Sequence, residues 1–106
     1  MNNQQKTVLI VEDEKNIVDI LRFNLQREGH QTCEAYDGAD GLAKARSENP
    51  DLILLDVMLP KLDGFGVCEL IRRQSRVPIV LLTALDGEAE QLRGFDLEID
   101  DYITKP

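Results

Sequence analysis

The chain has few of the residues that build zinc sites or disulfide frameworks. Its 106 residues include two cysteines, Cys33 and Cys68, and one histidine, His30. The cysteines lie far apart, each inside a regular segment, and this spacing fits neither a zinc site nor a redox pair. We therefore interpret them as small apolar core residues of a protein in a reducing compartment. Because there is no second histidine, we interpret His30 as a loop residue at a helix-to-strand turn.

The chain has fewer basic than acidic residues, and it has no long apolar segment. Twelve Lys and Arg residues stand against twenty Asp and Glu residues, which gives a net charge of −8. A surface this acidic repels nucleic-acid phosphates and favours cations or partners with basic patches. No apolar run approaches the roughly 20 residues that cross a bilayer, and the polar start lacks the apolar core of a signal peptide. We expect a cytoplasmic protein that binds neither membranes nor, directly, nucleic acid.

What the sequence does have is short apolar runs that alternate with segments of helical periodicity. Hydrophobic residues make up 42% and charged residues 30%, an ordinary balance for a globular domain of this length. The predicted strands are Thr7–Val11, Gln31–Ala35, Leu52–Leu55, Val77–Leu82 and Tyr102–Thr104. The predicted helices are marked by Val18, Leu21 and Leu25, by Ala39, Leu42, Ala43 and Arg46, by Val67, Leu70 and Ile71, and by Leu85, Ala89 and Leu92.

Strands and helices that alternate at these lengths predict an α/β fold of βαβ units around a parallel sheet. Right-handed crossovers leave few topologies for such a chain. We predict a doubly wound, open five-stranded parallel sheet of order 2-1-3-4-5, which is flavodoxin-like. In sheets of this kind ligands bind beyond the carboxyl ends of the strands, so the residues that follow each strand are the candidates for a site.

Polar side chains follow four of the predicted strands. Strand 1 is followed by Glu12 and Asp13, strand 3 by Asp56, strand 4 by Thr83, and strand 5 by Lys105. Neighbouring strands lie about 4.8 Å apart, so Asp56 should lie close to the two acids of strand 1. Lys105 is two strands away from Asp56, a gap that only a long side chain can close.

Each of these residues has an ordinary explanation when taken alone. The acids could favour a helix amino terminus, an aspartate could occupy a turn, Thr83 could cap a helix, and Lys105 could be a solvated charge. Together, three carboxylates at one edge repel one another and need more counter-charge than one lysine supplies. Oxygen ligands with free positions suit Mg²⁺, which binds beside phosphate. A carboxylate, Mg²⁺, a lysine and a hydroxyl are the groups that form an aspartyl phosphate, here on Asp56.

The chain resembles the receiver domains of bacterial two-component response regulators. The motifs that carry the resemblance are Val11–Glu14, Leu55–Pro60, Asp63–Phe65, Leu82–Ala84 and Asp100–Pro106. They occur in the family's order and spacing over nearly the whole chain. The residues around Asp56 and Tyr102 are most similar to the subfamily that carries a winged-helix DNA-binding domain after the receiver. On this resemblance residues 1–106 form one receiver domain that lacks the fifth helix and the effector domain.

The resemblance implies a phosphorylation-dependent signalling switch rather than an enzyme that acts on other substrates. Asp56 would accept a phosphoryl group from a sensor histidine kinase, and the full-length protein would regulate transcription. Mg²⁺ would be bound by Asp13, Asp56 and the backbone carbonyl of Met58, with Glu12 acting mainly through water. The domain would promote only its own phosphotransfer and dephosphorylation.

The resemblance also implies how the switch works. Lys105 would contact the phosphoryl group, and Thr83 would move towards it. Tyr102 would turn inward as Thr83 moves. These three residues would therefore join the site to a surface that changes on phosphorylation.

Three alternative functions remain open from the sequence. A hydrolase of the haloacid dehalogenase type also uses an aspartate nucleophile and Mg²⁺, but it needs a second acid where this chain has Met58. A flavodoxin-like cofactor binder needs a phosphate-cradling loop after strand 1, where Glu12–Glu14 would repel phosphate. A receiver that is never phosphorylated usually lacks a pocket residue, and none is missing here.

The predicted strand order leaves one face of the sheet sparsely covered. The helix after strand 1 packs on that face and the other helices pack on the opposite one, so strands 3 to 5 are bare without a fifth helix. Leu52–Leu55 and Ile79–Leu82 are the most apolar strands, and large apolar patches on soluble proteins tend to be covered. We therefore expect the 106-residue chain to self-associate. Sedimentation at several concentrations tests this expectation, which a well-folded monomer at high micromolar concentration would contradict.

Overall fold

The structure is a computed structural model that describes residues 5–59, 64–83 and 101–104. The elements in these residues are β1 (Thr7–Val11), α1 (Lys15–Arg27), β2 (Gln31–Ala35), α2 (Gly38–Ser47), β3 (Leu52–Asp56), α3 (Gly64–Arg72), β4 (Ile79–Thr83) and β5 (Asp101–Thr104). The helix predicted around Leu85, Ala89 and Leu92 lies outside the described residues. Within them, no helix has the length and apolar character that spanning a bilayer requires.

The five strands form one sheet of order β2-β1-β3-β4-β5, and every neighbouring pair is parallel. In the centre of the sheet Ile10 lies beside Leu54, and Leu55 lies beside Leu81. The predicted α/β class and strand order are therefore confirmed. The carboxyl ends of β1, β3 and β4 meet at one edge of this sheet, where the site described below is found.

Apolar side chains cover both faces of the sheet, because alternate residues of a strand point to opposite faces. One cluster contains the strand residues Leu9, Val11, Ala35, Ile53, Leu55, Ile79 and Leu81, together with Val67, Cys68 and Ile71 of α3. The other contains Val8, Ile10, Leu54 and Leu82 of the strands and Val18 of α1. The continuous apolar runs of β1 and β3 are thus explained by burial on both sides.

The cysteines and the histidine occupy the environments predicted for them. Cys68 is fully buried in the α3 cluster, and Cys33 packs against the same cluster. Burial, reinforced by nearby acidic residues, raises the pKa of the Cys33 thiol above its ordinary value, which favours the neutral thiol. His30 lies in the turn between α1 and β2, where its Nδ1 accepts a hydrogen bond of 3.1 Å from the backbone N–H of Lys6.

Glycine and proline set two of the element boundaries. Gly29 has a φ of 92°, the left-handed conformation that favours glycine after a helix, and α1 ends just before it. Strand β4 begins at Ile79, later than the predicted start at Val77. Pro78 has no N–H to donate to a neighbouring strand, although its carbonyl still accepts a hydrogen bond of 3.0 Å from the Ile53 N–H.

The sheet face that carries α1 is better covered than the strand order predicts. Leu54 and Leu82 are only 6% and 3% exposed, and both belong to the apolar cluster that contains Val18 of α1. Leu52 and Val80 pack against that cluster and are partly buried. The expectation of a bare face is therefore wrong at Leu54 and Leu82. Self-association stays a prediction. Burial of Leu54 and Leu82 cannot drive it, because both side chains are already buried within one chain.

Candidate functional site

The ends of β1 and β3 bring three acidic residues together. Strand β1 ends at Val11, so Glu12 and Asp13 follow it directly, whereas β3 includes Asp56 as its last residue. Val11 lies beside Leu55 in the parallel register, which puts Asp56 level with Glu12. Carboxylate oxygens of Glu12, Asp13 and Asp56, one from each, lie within 4.8 Å of one another. The structure thus brings together the three acids that the sequence placed at this edge.

The three acids differ in their exposure to solvent. Glu12 and Asp56 are completely buried, while Asp13 is exposed. Transferring a carboxylate from water into the interior is costly unless the charge is compensated by hydrogen bonds, an opposite charge or a cation. The site therefore has two carboxylates in a low-dielectric environment and a third at its solvent side.

Backbone N–H groups hold the two buried carboxylates in place. Glu12 Oε2 accepts a hydrogen bond of 3.0 Å from the N–H of Glu14, and Asp56 Oδ1 accepts one of 3.2 Å from the N–H of Met58. In both cases a side chain bonds to the backbone two residues further on, a pattern that fixes the turn after a strand. The chain after Asp56 is also tied to β4, because the N–H of Val57 donates to the carbonyl of Leu82 at 3.1 Å.

The chemistry of these ligands favours a hard divalent cation. All three side chains offer oxygen, which Mg²⁺ and Ca²⁺ prefer over softer ligands. Like charges this close repel one another, and a divalent cation between them offsets that repulsion. The acidic group is therefore able to hold a metal ion.

Two further predicted residues lie on β4 and β5, which follow the strand of Asp56 on one side of the sheet. Thr83 is the last residue of β4, and its backbone lies beside Thr104 of β5. Asp56 itself lies beside Leu82, so Thr83 is one position further towards the carboxyl edge. The backbone of Tyr102 lies one strand further out, beside Leu81.

Of the remaining predicted residues, one is described and one is not. Met58 follows the end of β3, and its side chain is 64% exposed while its N–H is bonded to Asp56. Lys105 lies outside the described residues. The predicted contact of Lys105 with a phosphoryl group therefore stays a prediction.

Gly64 belongs to the Asp63–Phe65 motif of the sequence, which carried the resemblance but gave this glycine no role of its own. It is buried at the first position of α3, and its N–H donates a hydrogen bond of 2.9 Å to the carbonyl of Val57. A Cβ atom added to Gly64 would overlap the carbonyl oxygen of Asp56 and lie 2.7 Å from the Cα of Val57. In the sequence, Gly64 is visible only as a glycine shortly before the third predicted helix. The sequence does not show that this glycine lies against the backbone of Asp56 and Val57.

The chain combines a doubly wound parallel sheet with an acidic cluster at its carboxyl edge that can hold a metal ion. This combination is typical of domains that accept a phosphoryl group on an aspartate. Residues 8–106 match the family described as the response regulator receiver domain, and the chain belongs to that family. Over 102 residues it is 51% identical to the alkaline phosphatase synthesis transcriptional regulatory protein PhoP of Bacillus subtilis (strain 168). The match covers 95% of this chain and 42% of that protein, so the chain spans less than half of this relative's length.

Solved receiver domains have the same fold. The N-terminal domain of a response regulator receiver protein from Methanoculleus marisnigri JR1 is 34% identical with a TM-score of 0.86, covering 95% of this chain and 85% of that one. The BeF3-activated N-terminal receiver domain of Klebsiella pneumoniae RstA is 32% identical with a TM-score of 0.86, covering 93% and 85%. Membership of this family makes the chain a phosphorylation-dependent switch, and the match confirms the family that was predicted from the motifs.

Proposed function

We propose that residues 1–106 form a receiver domain in which Asp56 is the phosphoacceptor. A carboxylate oxygen of Asp56 attacks the phosphorus of a phosphohistidine on the sensor kinase, the phosphorus–nitrogen bond breaks, and the released imidazole takes a proton from solvent. The observation that carries this proposal is the buried Asp56 carboxylate within 4.8 Å of two further acids, in a chain of the receiver family. An aspartyl phosphate is the product that such a nucleophile forms.

Mg²⁺ fits the residues present at this site. We assign Asp13, Asp56 and the backbone carbonyl of Met58 as its ligands, with Glu12 acting mainly through water. The hydrogen bond between Met58 and Asp56 supports this assignment, because it folds the chain after β3 back towards the carboxylate. When bound, the ion neutralises charge on the phosphoryl oxygens.

Three residues complete the proposed switch. Lys105 contacts the phosphoryl group with its positive charge, and Thr83 hydrogen-bonds to the group once it is in place. Tyr102 follows the movement of Thr83, which changes the surface around β5. The adjacent positions of β4 and β5 in the sheet support this coupling, because Thr83 and Tyr102 belong to neighbouring strands.

We propose transcriptional regulation as the output in the full-length protein. The 51% identical relative is a transcriptional regulatory protein, and this chain matches 42% of its length, which leaves room for an effector domain. DNA would be bound by that further domain, since this chain carries a net charge of −8 and would be repelled by phosphates. We expect the protein to act in the cytoplasm.

Phosphorylation by a small donor tests the proposed function. Incubation of the chain with acetyl phosphate and Mg²⁺ should add one phosphoryl group, detected as an increase in intact mass, and a chelator should prevent it. A protein-binding module that is never phosphorylated would show no increase under either condition. Repeated release of phosphate over many turnovers would instead indicate a hydrolase.

The metal assignment predicts that Asp13→Ala abolishes Mg²⁺ binding to the unphosphorylated protein. The parent should bind the ion weakly. The substitution should abolish this binding, because it removes both a ligand and part of the repulsion that the ion relieves. Calorimetric titration measures this directly. Glu48→Ala is the matched control, since it removes an equal charge from an exposed residue at the end of α2. Equal Mg²⁺ affinities of the parent and Asp13→Ala would show that the metal assignment is wrong.

A further inference from the structure

We infer that Gly64 is a positioning residue for the phosphoacceptor. Because Gly64 has no side chain, the first turn of α3 packs directly on the peptide between Asp56 and Val57 and holds the Asp56 carboxylate against Glu12 and Asp13. This inference rests on the proposed function of Asp56. It concerns a residue to which the proposed function assigns no contact with Mg²⁺ or with the phosphoryl group.

The contact between Gly64 and β3 is made by backbone on both sides. The N–H of Gly64 donates to the Val57 carbonyl at 2.9 Å. A Cβ at Gly64 would overlap the Asp56 carbonyl oxygen and lie 3.0 Å from the Asp56 carbonyl carbon. Backbone atoms cannot rotate out of the way as a side chain can. A larger residue must therefore displace either the end of β3 or the start of α3.

The displaced peptide is the one that carries the carboxylate. On its other side the chain is tied to β4 by the hydrogen bond from Val57 to Leu82, and the Asp56 side chain is tied to the Met58 N–H. Movement away from α3 would strain or break these bonds. Asp56 is completely buried, so a shift of its backbone must also move its carboxylate relative to the packed atoms around it. The separation of 4.8 Å or less among the three acids depends on this backbone position.

A second buried helical glycine provides a matched comparison. Gly41 of α2 also packs on the sheet, but a Cβ there would meet the Val11 side chain, at 2.7 Å from Cγ1 and 2.9 Å from Cγ2. The methyl groups of the buried Val11 must give way, but this contact is with a side chain of β1 and does not involve the Asp56 backbone. Gly41→Ala should therefore disturb the core without moving the Asp56 backbone.

The test compares Gly64→Ala with Gly41→Ala by Mg²⁺ titration and by the rate of phosphorylation from acetyl phosphate. Gly64→Ala should bind Mg²⁺ at least about tenfold more weakly and be phosphorylated about 10²-fold more slowly, since a displacement near 1 Å has effects of that size. The slower rate should persist at saturating Mg²⁺, which weaker metal binding alone would not produce. Gly41→Ala should stay close to the parent in both measurements, even where urea unfolding shows it to be less stable.

The outcomes separate this inference from the proposed function. If the parent is phosphorylated and Gly64→Ala matches it, the positioning role is overturned and the function of Asp56 stands. If Gly41→Ala is impaired as much as Gly64→Ala, the effect is one of general packing and the inference is again overturned. A parent that neither binds Mg²⁺ nor gains a phosphoryl group overturns the proposed function and this inference with it.

Amide hydrogen exchange in the parent tests the same contact if Gly64→Ala does not fold. Mg²⁺ with beryllofluoride, which occupies the place of the phosphoryl group, should slow exchange of the Gly64 amide at least about tenfold, because its acceptor is the Val57 carbonyl next to the bound group. The Gly41 amide, which donates to Asp37 at 2.9 Å, should exchange at an unchanged rate. An unchanged Gly64 amide, or equal slowing of both, overturns the inference.

Discussion

Asp56→Asn should eliminate phosphoryl incorporation altogether. The amide has almost the shape of the carboxylate, but it is not a nucleophile towards phosphorus under these conditions. Intact mass after incubation with acetyl phosphate and Mg²⁺ measures the effect. Asp51→Asn is the matched control, because Asp51 precedes the same strand at its opposite end, where its Oδ2 accepts a hydrogen bond from Thr7. The Asp51 variant should gain one phosphoryl group as the parent does.

The stability of Asp56→Asn separates a chemical loss from an unfolded protein. The substitution removes a buried negative charge that lies beside two others, so the free energy of unfolding should not decrease in the absence of Mg²⁺. Urea unfolding of the parent and the variant measures this. A phosphoryl group that still appears on Asp56→Asn would place the acceptor at another residue. A marked loss of stability would instead show that the substitution disrupts β3, and the lost phosphorylation would then reflect unfolding rather than the missing nucleophile.

The fold could be predicted because its signals lie within single segments. Four consecutive apolar residues at Leu52–Leu55 indicate a strand that is buried on both faces of the sheet. Helical periodicity between such runs indicates that helices connect one parallel strand to the next. Right-handed crossovers then leave few strand orders, of which 2-1-3-4-5 is the usual one for five strands. The exact start of β4 was missed because Pro78 interrupts hydrogen bonding to the neighbouring strand without interrupting the apolar pattern.

The acidic cluster could be predicted because parallel strands bring their carboxyl ends to one edge. Glu12, Asp13 and Asp56 each follow or end a strand, so the strand order alone brings them together. The contact of Gly64 with Asp56 could not be predicted, because it depends on how closely α3 approaches β3. The burial of Leu54 is a similar case, since it depends on how far one cluster extends across the sheet.

The structure also bears on the alternative functions. A hydrolase of the haloacid dehalogenase type would need an acid at position 58, where an exposed methionine side chain stands. A flavodoxin-like binder would need phosphate-binding N–H groups after β1, but the N–H of Glu14 is bonded to the Glu12 carboxylate. The match to the receiver family over residues 8–106 agrees with both observations.

Lys105→Ala and Thr83→Ala should impair different steps of the switch. Loss of the lysine charge should slow phosphorylation about 10²- to 10³-fold, because that charge stabilises the negative charge that develops on the phosphoryl oxygens. Thr83→Ala should be phosphorylated at nearly the parent rate, because in the proposed switch the hydroxyl of Thr83 reaches the phosphoryl group only after transfer. Time courses of intact mass with acetyl phosphate measure both rates. Lys6→Ala, which removes the same charge from an exposed residue, is the control for Lys105→Ala.

Transmission of the signal provides the second measurement. Thr83 is the last residue of β4, and Tyr102 lies on the neighbouring strand β5. In the parent, Mg²⁺ with beryllofluoride should shift the amide resonance of Tyr102. In Thr83→Ala that shift should be largely lost although the group still binds, because the link between the site and β5 is missing. A thousandfold slower phosphorylation of Thr83→Ala would contradict this division of roles, since it would make the hydroxyl part of the transfer step itself.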